Sequence, residues 1–274
     1  MATIEKNAPA LWSPLLPWPQ PEGHKFDRGH LLVLGGDSLT GAARLAAEAG
    51  MRAGAGVCSI IAAPQTQAIY LAGAPHIMFA PYQNLADFAG YLADARVTAA
   101  IMGPGAGRDA ALRGAVVAAL RVHRAMVLDA DALNVFEGQT GELLQALHPR
   151  CVLTPHEGEF SRLFPDISGD RVARARSAAQ RMGCVLVLKG AQTVIAAPDG
   201  RVIVNDHAAP WLATAGAGDV LAGMIGGLLA QGMDPLLAAC AAVWIHGEIA
   251  LRFGPGLIAP DIIAGIPAVL RDFA

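Results

Sequence analysis

The stretch from Thr214 to Gly223 has the residue types needed to bind and transfer a phosphoryl group. It reads Thr-Ala-Gly-Ala-Gly-Asp-Val-Leu-Ala-Gly, so two glycines precede an aspartate and an apolar helix follows at once. The unpaired N–H groups and the dipole at a helix N-terminus favour negative charge. A helix cap is the simpler role for Asp219, but a cap does not require glycine on both sides of Ala217. We therefore predict an anion hole at Gly216, Ala217 and Gly218, with Asp219 placed to take a proton from an attacking hydroxyl.

Five further segments with glycine or ionisable residues follow apolar, strand-like runs. They are the Gly-rich turns at 35–43 and 103–107, the carboxylate-bearing stretch 127–134, the Thr-Pro-His-Glu-Gly stretch at 154–160, and Lys-Gly-Ala-Gln-Thr at 189–193. In open α/β sheets, ligands bind beyond the carboxyl ends of the strands. We therefore expect these segments to meet at one edge of a sheet. Neither Gly-rich turn fits the dinucleotide-binding pattern, and no P-loop lysine follows either of them.

The ionisable residues in these segments each have two interpretations. Asp129 and Asp131, with Asn134, could line a polar pocket, or either aspartate could cap a helix. His156 could contact a ligand or serve a structural role. Lys189 would be poorly tolerated at a buried strand end unless its ammonium group reaches a phosphate or a carboxylate.

Composition excludes several classes of protein. The 274 residues are 54% apolar and 16% charged, with 31 Gly and 55 Ala, and this combination is unlike that of disordered chains. The net charge of −3 and the lack of a basic cluster argue against nucleic-acid binding. The longest apolar stretch, from Val220 to Ala250, is interrupted by Gln231, Asp234 and Pro235, so we expect no membrane-spanning segment.

The cysteines and the N-terminus indicate the compartment. Cys58, Cys151, Cys184 and Cys240 are far apart and form no Cys-X-X-Cys pair, so we expect buried thiols rather than disulfides or metal ligands. The first 18 residues lack the continuous apolar segment of a secretory signal. Both features predict a cytoplasmic protein.

Regular alternation of strands and helices predicts the fold class. Strand-like runs occur at 31–34, 57–62, 99–102, 126–129, 151–154 and 184–188, and helix-like stretches at 41–53, 84–95, 109–123, 170–182, 216–231, 235–251 and 258–271. The pattern predicts an α/β fold with a mostly parallel central sheet covered by helices on both faces. Residues 193–197 and 201–205 flank a Pro-Asp-Gly turn, which predicts a β-hairpin near 193–205.

The chain divides into an arm and one domain. Residues 1–29 contain five prolines and two tryptophans, which predicts an extended arm packed by its tryptophans, and residues 30–274 form a single domain. The Ala-rich helices would pack closely against the sheet or against a second subunit, so both a monomer and a homo-oligomer are compatible with the sequence.

In this order, the motifs resemble those of the ribokinase-like superfamily and, within it, the ADP/ATP-dependent NAD(P)H-hydrate dehydratase family. The stretches that carry the resemblance are GGDSLTGAARLAAEAGMRAGAG (35–56), GPGAGRD (103–109), LDADALN (128–134), TPHEGEF (154–160), KGAQT (189–193) and ATAGAGDVLAGMIGGLLAQG (213–232). The resemblance extends over residues 25–271, approximately, and implies a ribokinase-like fold.

The resemblance also implies a repair reaction. The S epimer of hydrated NADH or NADPH would be dehydrated through a phosphorylated intermediate, with ADP, or else ATP, as phosphoryl donor. ADP would give AMP and phosphate. The hydrate would contact Ala42, Gly105, His156 and Asp219, and the nucleotide would contact Gly218 and the loop formed by Lys189, Gly190, Ala191, Gln192 and Thr193. Mg²⁺ is expected with the nucleotide phosphates, without a dedicated set of protein ligands.

The sequence departs from the family pattern at two places and leaves two other functions open. Ala208 to Trp211 replace a Gly-Asn-Pro-Gly-like run, and Asp37 follows the first glycines where serine is common. An epimerase domain is fused to some members; about 25 residues precede the region of resemblance here, so we expect that activity on a separate protein. The alternatives are a thiazole- or pyrimidine-type alcohol kinase of the same superfamily and a nucleotide-binding sensor without turnover.

Overall fold

Strands and helices alternate along the chain in the computed structural model, which describes residues 4–274. The strands are β1 (Ile4–Lys6), β2 (His30–Leu34), β3 (Val57–Ala62), β4 (Met78–Pro81), β5 (Val97–Met102), β6 (Ala125–Leu128), β7 (Cys151–Leu153), β8 (Val185–Leu188), β9 (Thr193–Ala196) and β10 (Val202–Asn205). The α-helices are α1 (Thr40–Arg52), α2 (Gln67–Leu71), α3 (Asp87–Leu92), α4 (Ala110–Leu120), α5 (Asp131–Asn134), α6 (Thr140–Ala146), α7 (Glu157–Leu163), α8 (Arg171–Met182), α9 (Ala217–Ala230), α10 (Pro235–Phe253) and α11 (Ala259–Arg271).

The ten strands of residues 4–274 form one sheet in the order β1-β10-β9-β8-β7-β6-β5-β2-β3-β4. Neighbouring strands are parallel, except that β9 is antiparallel to both β8 and β10. The mostly parallel sheet and the hairpin at 193–205 are thus confirmed. Each predicted strand is present, with its ends within two residues of the predicted ones.

Both faces of the sheet are apolar and covered by helices. In β2, Leu31 and Val33 belong to one hydrophobic cluster, and Leu32 and Leu34 belong to another on the opposite face. Residues of α1, α9, α10 and α11 complete the first cluster, and residues of α3, α4, α6, α7 and α8 complete the second. Strands with both faces buried have nearly continuous apolar sequences, which is why the runs were recognisable.

The structure adds elements that the sequence pattern does not predict and shortens others. Strand β4 is a four-residue edge strand ending in proline, and α2, α5, α6 and α7 have four to seven residues, too few for a helical period to be visible. Of the helix predicted at 84–95, only α3 is observed. It begins later because the Asp87 carboxylate accepts hydrogen bonds from the N–H groups of Gln83 and Asn84, which form a turn before the helix. The prediction over 109–123 is too long at its end, where His123 has a φ of 60°.

The described part of the predicted arm, residues 4–29, is not extended throughout; residues 1–3 lie outside the described range. Strand β1 adds to the sheet edge parallel to β10, and three 3₁₀ helices follow at Pro9–Leu11, Ser13–Leu15 and Lys25–Arg28. Proline lies in the first turn of the first two, where its fixed φ suits a helix start. Trp12 is fully buried against Trp244 and Phe273, whereas Trp18 is 41% exposed.

Helix α1 packs against α9 through small residues. A Cβ atom added to Gly223 would lie 2.3 Å from the carbonyl oxygen of Ala46, and one added to Gly227 would lie 2.3 Å from that of Gly50. The two backbones are therefore in direct contact, which only glycine permits. The Ala-rich helix α1 thus finds its packing partner within the same chain.

Helix α10 has the length and apolar composition of a membrane span, but 67% of that window is buried within the fold. It packs beside α9 and α11 in the hydrophobic cluster on their face of the sheet. This burial is typical of a core helix. The four cysteines are free and buried, as predicted.

Candidate active site

The first turn of α9 has free N–H groups. Gly216 precedes the helix with a φ of 85°, a left-handed conformation that favours glycine, and its carbonyl accepts the N–H of Val220. The N–H groups of Gly218 and Asp219 donate to no acceptor in residues 4–274. The N–H of Ala217 points to the carbonyl of Thr214 at 3.4 Å, so it is not one of the free donors expected of an anion hole. The Asp219 N–H, which was not predicted, takes its place.

The Asp219 carboxylate is available as a base. It is partly buried, and it accepts no hydrogen bond from the described chain. Burial, together with repulsion from Asp129 and more weakly from Asp131, raises the pKa of Asp219 to about 6, against the opposing attraction of Lys189. A carboxylate with this pKa is ionised at neutral pH and more basic than an ordinary aspartate. These are the properties of a general base.

Lys189 and Asp129 form a buried ion pair beside this turn. The Lys189 Nζ lies 2.7 Å from Asp129 Oδ1, and Asp129 is 2% exposed. Burial lowers the pKa of Lys189, but the attraction and hydrogen bond of Asp129, together with the charges of Glu159 and Asp219, outweigh it, so the net shift is upward and the ammonium form is kept. A Cβ atom on Gly218 would lie 3.5 Å from Nζ, so the pair adjoins the free N–H groups. The expectation that Lys189 reaches a carboxylate is met.

The other two residues predicted to line the pocket, Asp131 and Asn134, form hydrogen bonds with other residues of the chain. Asp131 accepts hydrogen bonds from the N–H of Gly107 and from Arg108, at 3.0 and 2.9 Å. The Asn134 side-chain oxygen accepts one from Arg162 at 2.7 Å. Helix α5 has no side-chain cap, so the capping role considered for the aspartates is wrong. Of the three candidates, only Asp129 approaches Gly218 closely, since a Cβ atom added to Gly218 would lie 4.0 Å from its Oδ2.

The two Gly-rich turns are in contact. A Cβ atom on Gly36 would lie 1.7 Å from the Gly105 carbonyl oxygen, and one on Gly105 would lie 3.2 Å from the Ala42 Cβ. Gly105 has a φ of 66°. Beside these turns is a cavity of about 260 Å³, called here the Gly105 cavity, lined by Asp37, Ser38, Leu39, Tyr82, Leu85, Gly105, Ala106, Gly107 and Asp109. Ala42 and Gly105 are thus neighbours, and the unusual Asp37 borders the same cavity.

His156 combines a cap with an accessible ring. Its Nδ1 accepts hydrogen bonds from the N–H groups of Gly158 and Glu159, and the Glu159 carboxylate accepts the His156 N–H, so the two residues cap α7. The side chain is nevertheless 56% exposed. A single β-bridge joins His156 to Lys189. The structural interpretation is correct for Nδ1, and Nε2 also faces the protein, 3.5 Å from Glu159 Oε1. More than half of the side chain is nevertheless accessible beside Lys189.

A second cavity, called here the Lys189 cavity, has a volume of about 530 Å³. It is lined by Lys189, Gly190, Ala191, Thr193, Asn205, Ala208, Ala209, Pro210, Leu212, Ala213, Ala217, Gly218, Leu221, Val243 and His246. Of the predicted nucleotide-binding residues, Gln192 alone is not in its lining. Of the run from Ala208 to Trp211 that departs from the family pattern, all residues but Trp211 line this cavity.

His246 was not predicted. It lies in α10, is 7% exposed, and its Nε2 donates to the carbonyl of Ala217 at 3.0 Å. Burial lowers the pKa of His246 to about 4, so the ring stays neutral. Its hydrogen bond to Ala217 therefore attaches the first turn of α9 to α10. The signal in the sequence was a single ionisable side chain inside an otherwise apolar stretch of helix.

Comparison with known proteins gives the family. The ADP-dependent (S)-NAD(P)H-hydrate dehydratase of Neisseria meningitidis is 37% identical over 89% of this chain and 84% of its own length. Among solved structures, the ADP/ATP-dependent NAD(P)H-hydrate dehydratase of Bacillus subtilis, co-crystallised with ATP and Mg²⁺, superposes with a TM-score of 0.84 at 29% identity, covering both chains completely.

A ribokinase-like superfamily protein of Enterococcus faecalis superposes with a TM-score of 0.89 over 99% of this chain and 96% of its own, at 23% identity, which shows the ribokinase-like fold. Curated relatives named bifunctional NAD(P)H-hydrate repair enzymes are 38 to 41% identical, and this chain spans about half of their length. The family model for NAD(P)H-hydrate dehydratase matches residues 31–256. The chain belongs to the NAD(P)H-hydrate dehydratase family.

Proposed function

We propose that this chain dehydrates the S epimer of hydrated NADH or NADPH, using ADP as phosphoryl donor and releasing AMP and phosphate. The observation that carries the proposal is the α9 turn, where the unpartnered Asp219 carboxylate lies beside the free N–H groups of Gly218 and Asp219. The Lys189 cavity adjoins this turn and is large enough for a nucleotide. Family membership supports the choice of substrate.

In the first step, Asp219 accepts the proton of the hydroxyl group on the hydrated ring. The hydroxyl oxygen attacks the terminal phosphorus of ADP, and the bond from that phosphorus to the bridging oxygen breaks, so AMP leaves. The free N–H groups and the Lys189 ammonium stabilise the negative charge on the transferring group. The pKa of Asp219, at about 6, suits a base that works near neutral pH.

In the second step, the phosphorylated hydroxyl leaves. The bond between the ring carbon and the phosphate oxygen breaks, and a proton leaves the adjacent ring atom, so the double bond forms again. Phosphorylation is needed because hydroxide is a poor leaving group and phosphate a good one. His156 and the Gly105 cavity are the parts of the chain that we assign to holding the hydrate.

Mg²⁺ is part of the proposal as an ion bound mainly through nucleotide phosphates. Residues 4–274 contain no group of three or more His, Cys, Asp or Glu placed to hold a metal ion. Magnesium sites that use phosphates need only one or two carboxylates, and Asp219 and Asp129 lie beside the α9 turn. When bound, the ion would neutralise phosphate charge. A cytoplasmic location is also proposed, supported by four free, buried thiols.

The test is incubation of hydrated NADPH with ADP or ATP while the absorbance of the reduced nicotinamide is followed. Recovery of that absorbance with ADP, with AMP and phosphate formed in equal amounts, is the expected result. With a mixture of the R and S epimers, the absorbance should stop rising once the S epimer is consumed. A phosphorylated product that accumulates without absorbance would identify an alcohol kinase, and nucleotide binding without turnover would identify a sensor.

A further inference from the structure

Arg171 connects the two loops that flank the reaction site. It is the first residue of α8, whose start is fixed by Asp170, the acceptor of the Ala173 N–H at 2.7 Å. From there its Nη2 donates to the carbonyl oxygens of Leu188, at 3.0 Å, and Lys189. Its Nη1 donates to the Glu157 carboxylate at 2.7 Å. One guanidinium group thus holds the beginning of the 189–193 loop and the residue that follows His156.

The contacts of Arg171 are those of a partly buried charge with a fixed position. Its side chain is 26% exposed, and removing a charge from water is unfavourable unless it is paired and hydrogen-bonded. Glu157 supplies the opposite charge and is itself held by Arg174; the two arginines, Arg174 foremost, lower the pKa of Glu157. Glu157 therefore stays ionised and anchors the guanidinium in place.

The loop is shaped around this guanidinium. A Cβ atom on Gly190 would lie 2.5 Å from Arg171 Nη2 and 2.9 Å from its Cζ, so the arginine occupies the space that a side chain at position 190 would need. Gly190 lines the Lys189 cavity, whereas Arg171 is not among its lining residues. Arg171 therefore does not contact a ligand in that cavity, and its hydrogen bonds act on such a ligand through the loop.

We propose that Arg171 is a positioning residue that holds the 189–193 loop in its nucleotide-binding conformation, with Glu157 as its anchor. The inference rests on the proposed role of this loop in binding ADP. Lysine could not replace arginine here, because a single ammonium group lacks the planar fork that reaches two carbonyls and a carboxylate together. The structure also offers a matched control. Arg181, on the same helix, pairs with Asp166 at 2.6 Å and contacts no residue of the loop through a hydrogen bond.

The test compares Arg171→Gln with Arg181→Gln by calorimetric titration with ADP in the absence of hydrate. We expect Arg171→Gln to weaken ADP binding fivefold or more, and Arg181→Gln to bind ADP within twofold of the wild type. The KM for the hydrate should change less than the Kd for ADP. A change in Arg171→Gln below fivefold, an equal change in both variants, or an equal rise in the hydrate KM would overturn the proposal.

Two further variants cover the case in which Arg171→Gln does not fold. Arg171→Lys keeps the charge and should still weaken ADP binding fivefold or more; wild-type affinity in this variant would reject the need for the fork. In Gly190→Ala the added methyl group pushes the Arg171 guanidinium away from the loop, and ADP binding should weaken to a similar degree. Unchanged affinity would contradict the close contact between Gly190 and Arg171. Titration with ADP needs no turnover, so failure of the dehydratase assay would leave this result readable and would count only against the proposed function.

Discussion

The Lys189 ammonium and the Asp129 carboxylate, 2.7 Å apart, join two strands that are not neighbours in the sheet. Asp129 follows β6 and Lys189 follows β8, with β7 lying between them. The pair therefore spans one strand at the edge where the loops meet. It connects the 189–193 loop to the stretch 127–134. Its two charges also act on the pKa of Asp219, which Asp129 raises and Lys189 lowers.

Breaking this pair from one side should destabilise the protein. Lys189→Met or Asp129→Asn leaves a buried charge without its partner, and we expect each variant to lose about 3 kcal/mol of unfolding free energy. The double variant Asp129→Leu with Lys189→Met removes both charges and should lose clearly less than the sum. Urea unfolding measures all three. Additive losses would show that the two groups do not interact energetically.

The pH dependence of turnover should report Asp219. Because only the carboxylate can accept a proton, kcat/KM should fall as the pH drops through about 6, the pKa of Asp219. Asp129→Asn removes a repulsion, which lowers that pKa and moves the fall to lower pH. Lys189→Met removes an attraction and moves it to higher pH. Shifts in the same direction would be inconsistent with this account of the site.

Asp219→Asn should separate activity from stability. Loss of the base should reduce turnover by about 10²–10⁴, while the Kd for ADP stays within threefold. Folding raises the pKa of Asp219, so the ionised carboxylate destabilises the wild type above pH 6.

The same variant should therefore unfold at higher denaturant concentration than the wild type at pH 8, with about 1–3 kcal/mol more stability. The advantage should shrink as the pH falls from about 6 to below about 4, where the wild-type carboxyl becomes protonated in both folded and unfolded chains. Retained turnover in Asp219→Asn would refute the proton-acceptor role, and equal stability at pH 8 would refute the raised pKa.

Gly223→Ala should damage the protein although it lies in a helix. The added methyl group would lie 2.3 Å from the Ala46 carbonyl oxygen, which is backbone and cannot rotate away, so α1 and α9 must separate. We expect a loss of about 1–3 kcal/mol and lower turnover, because α9 carries Asp219. Gly114→Ala in α4 is the control, since no atom lies within 4 Å of its added Cβ. It should be neutral or stabilising by about 0.5–1 kcal/mol.

Trp12→Ala should show how firmly the N-terminal arm is attached. Trp12 is fully buried, with its ring centroid 5.0 Å from that of Phe273 and 5.7 Å from that of Trp244. Truncating a large buried aromatic residue costs about 3–5 kcal/mol. Trp18→Ala, at a position that is 41% exposed, should cost less than about 1 kcal/mol. Equal losses in denaturant unfolding would show that the arm contributes by some route other than the Trp12 contacts.

The sequence predicts those parts of the fold and site that depend on neighbouring residues. Apolar runs buried on both faces reveal the strands, and glycines around Asp219 reveal the helix N-terminus. The partner of Lys189 could not be named, because it depends on the order of β6, β7 and β8 in the sheet. His246 was missed for a similar reason: its contact with Ala217 exists only once α10 packs beside α9.

Arg171 illustrates the same limit. In the sequence it is one of several arginines in a helix with the composition of a solvated surface, and nothing local distinguishes it from Arg181. Its contacts with Leu188, Lys189 and Glu157 join segments 14 to 18 residues apart along the chain. Short elements were missed as well, because a four-residue helix such as α5 shows less than two turns of any pattern.

The backbone contact between α1 and α9 limits how the distance between these helices can change. At Gly223 and Gly227 no side-chain atom remains to be removed, so substitution at these positions can only increase the separation, by at least one methyl group. The distance between α1 and α9 is therefore already the shortest that their backbones allow. This distance sets the placement of Asp219 relative to the Gly-rich turn that leads into α1. Finer adjustment of the reaction geometry must therefore come from the loops, whose conformations are not limited in this way.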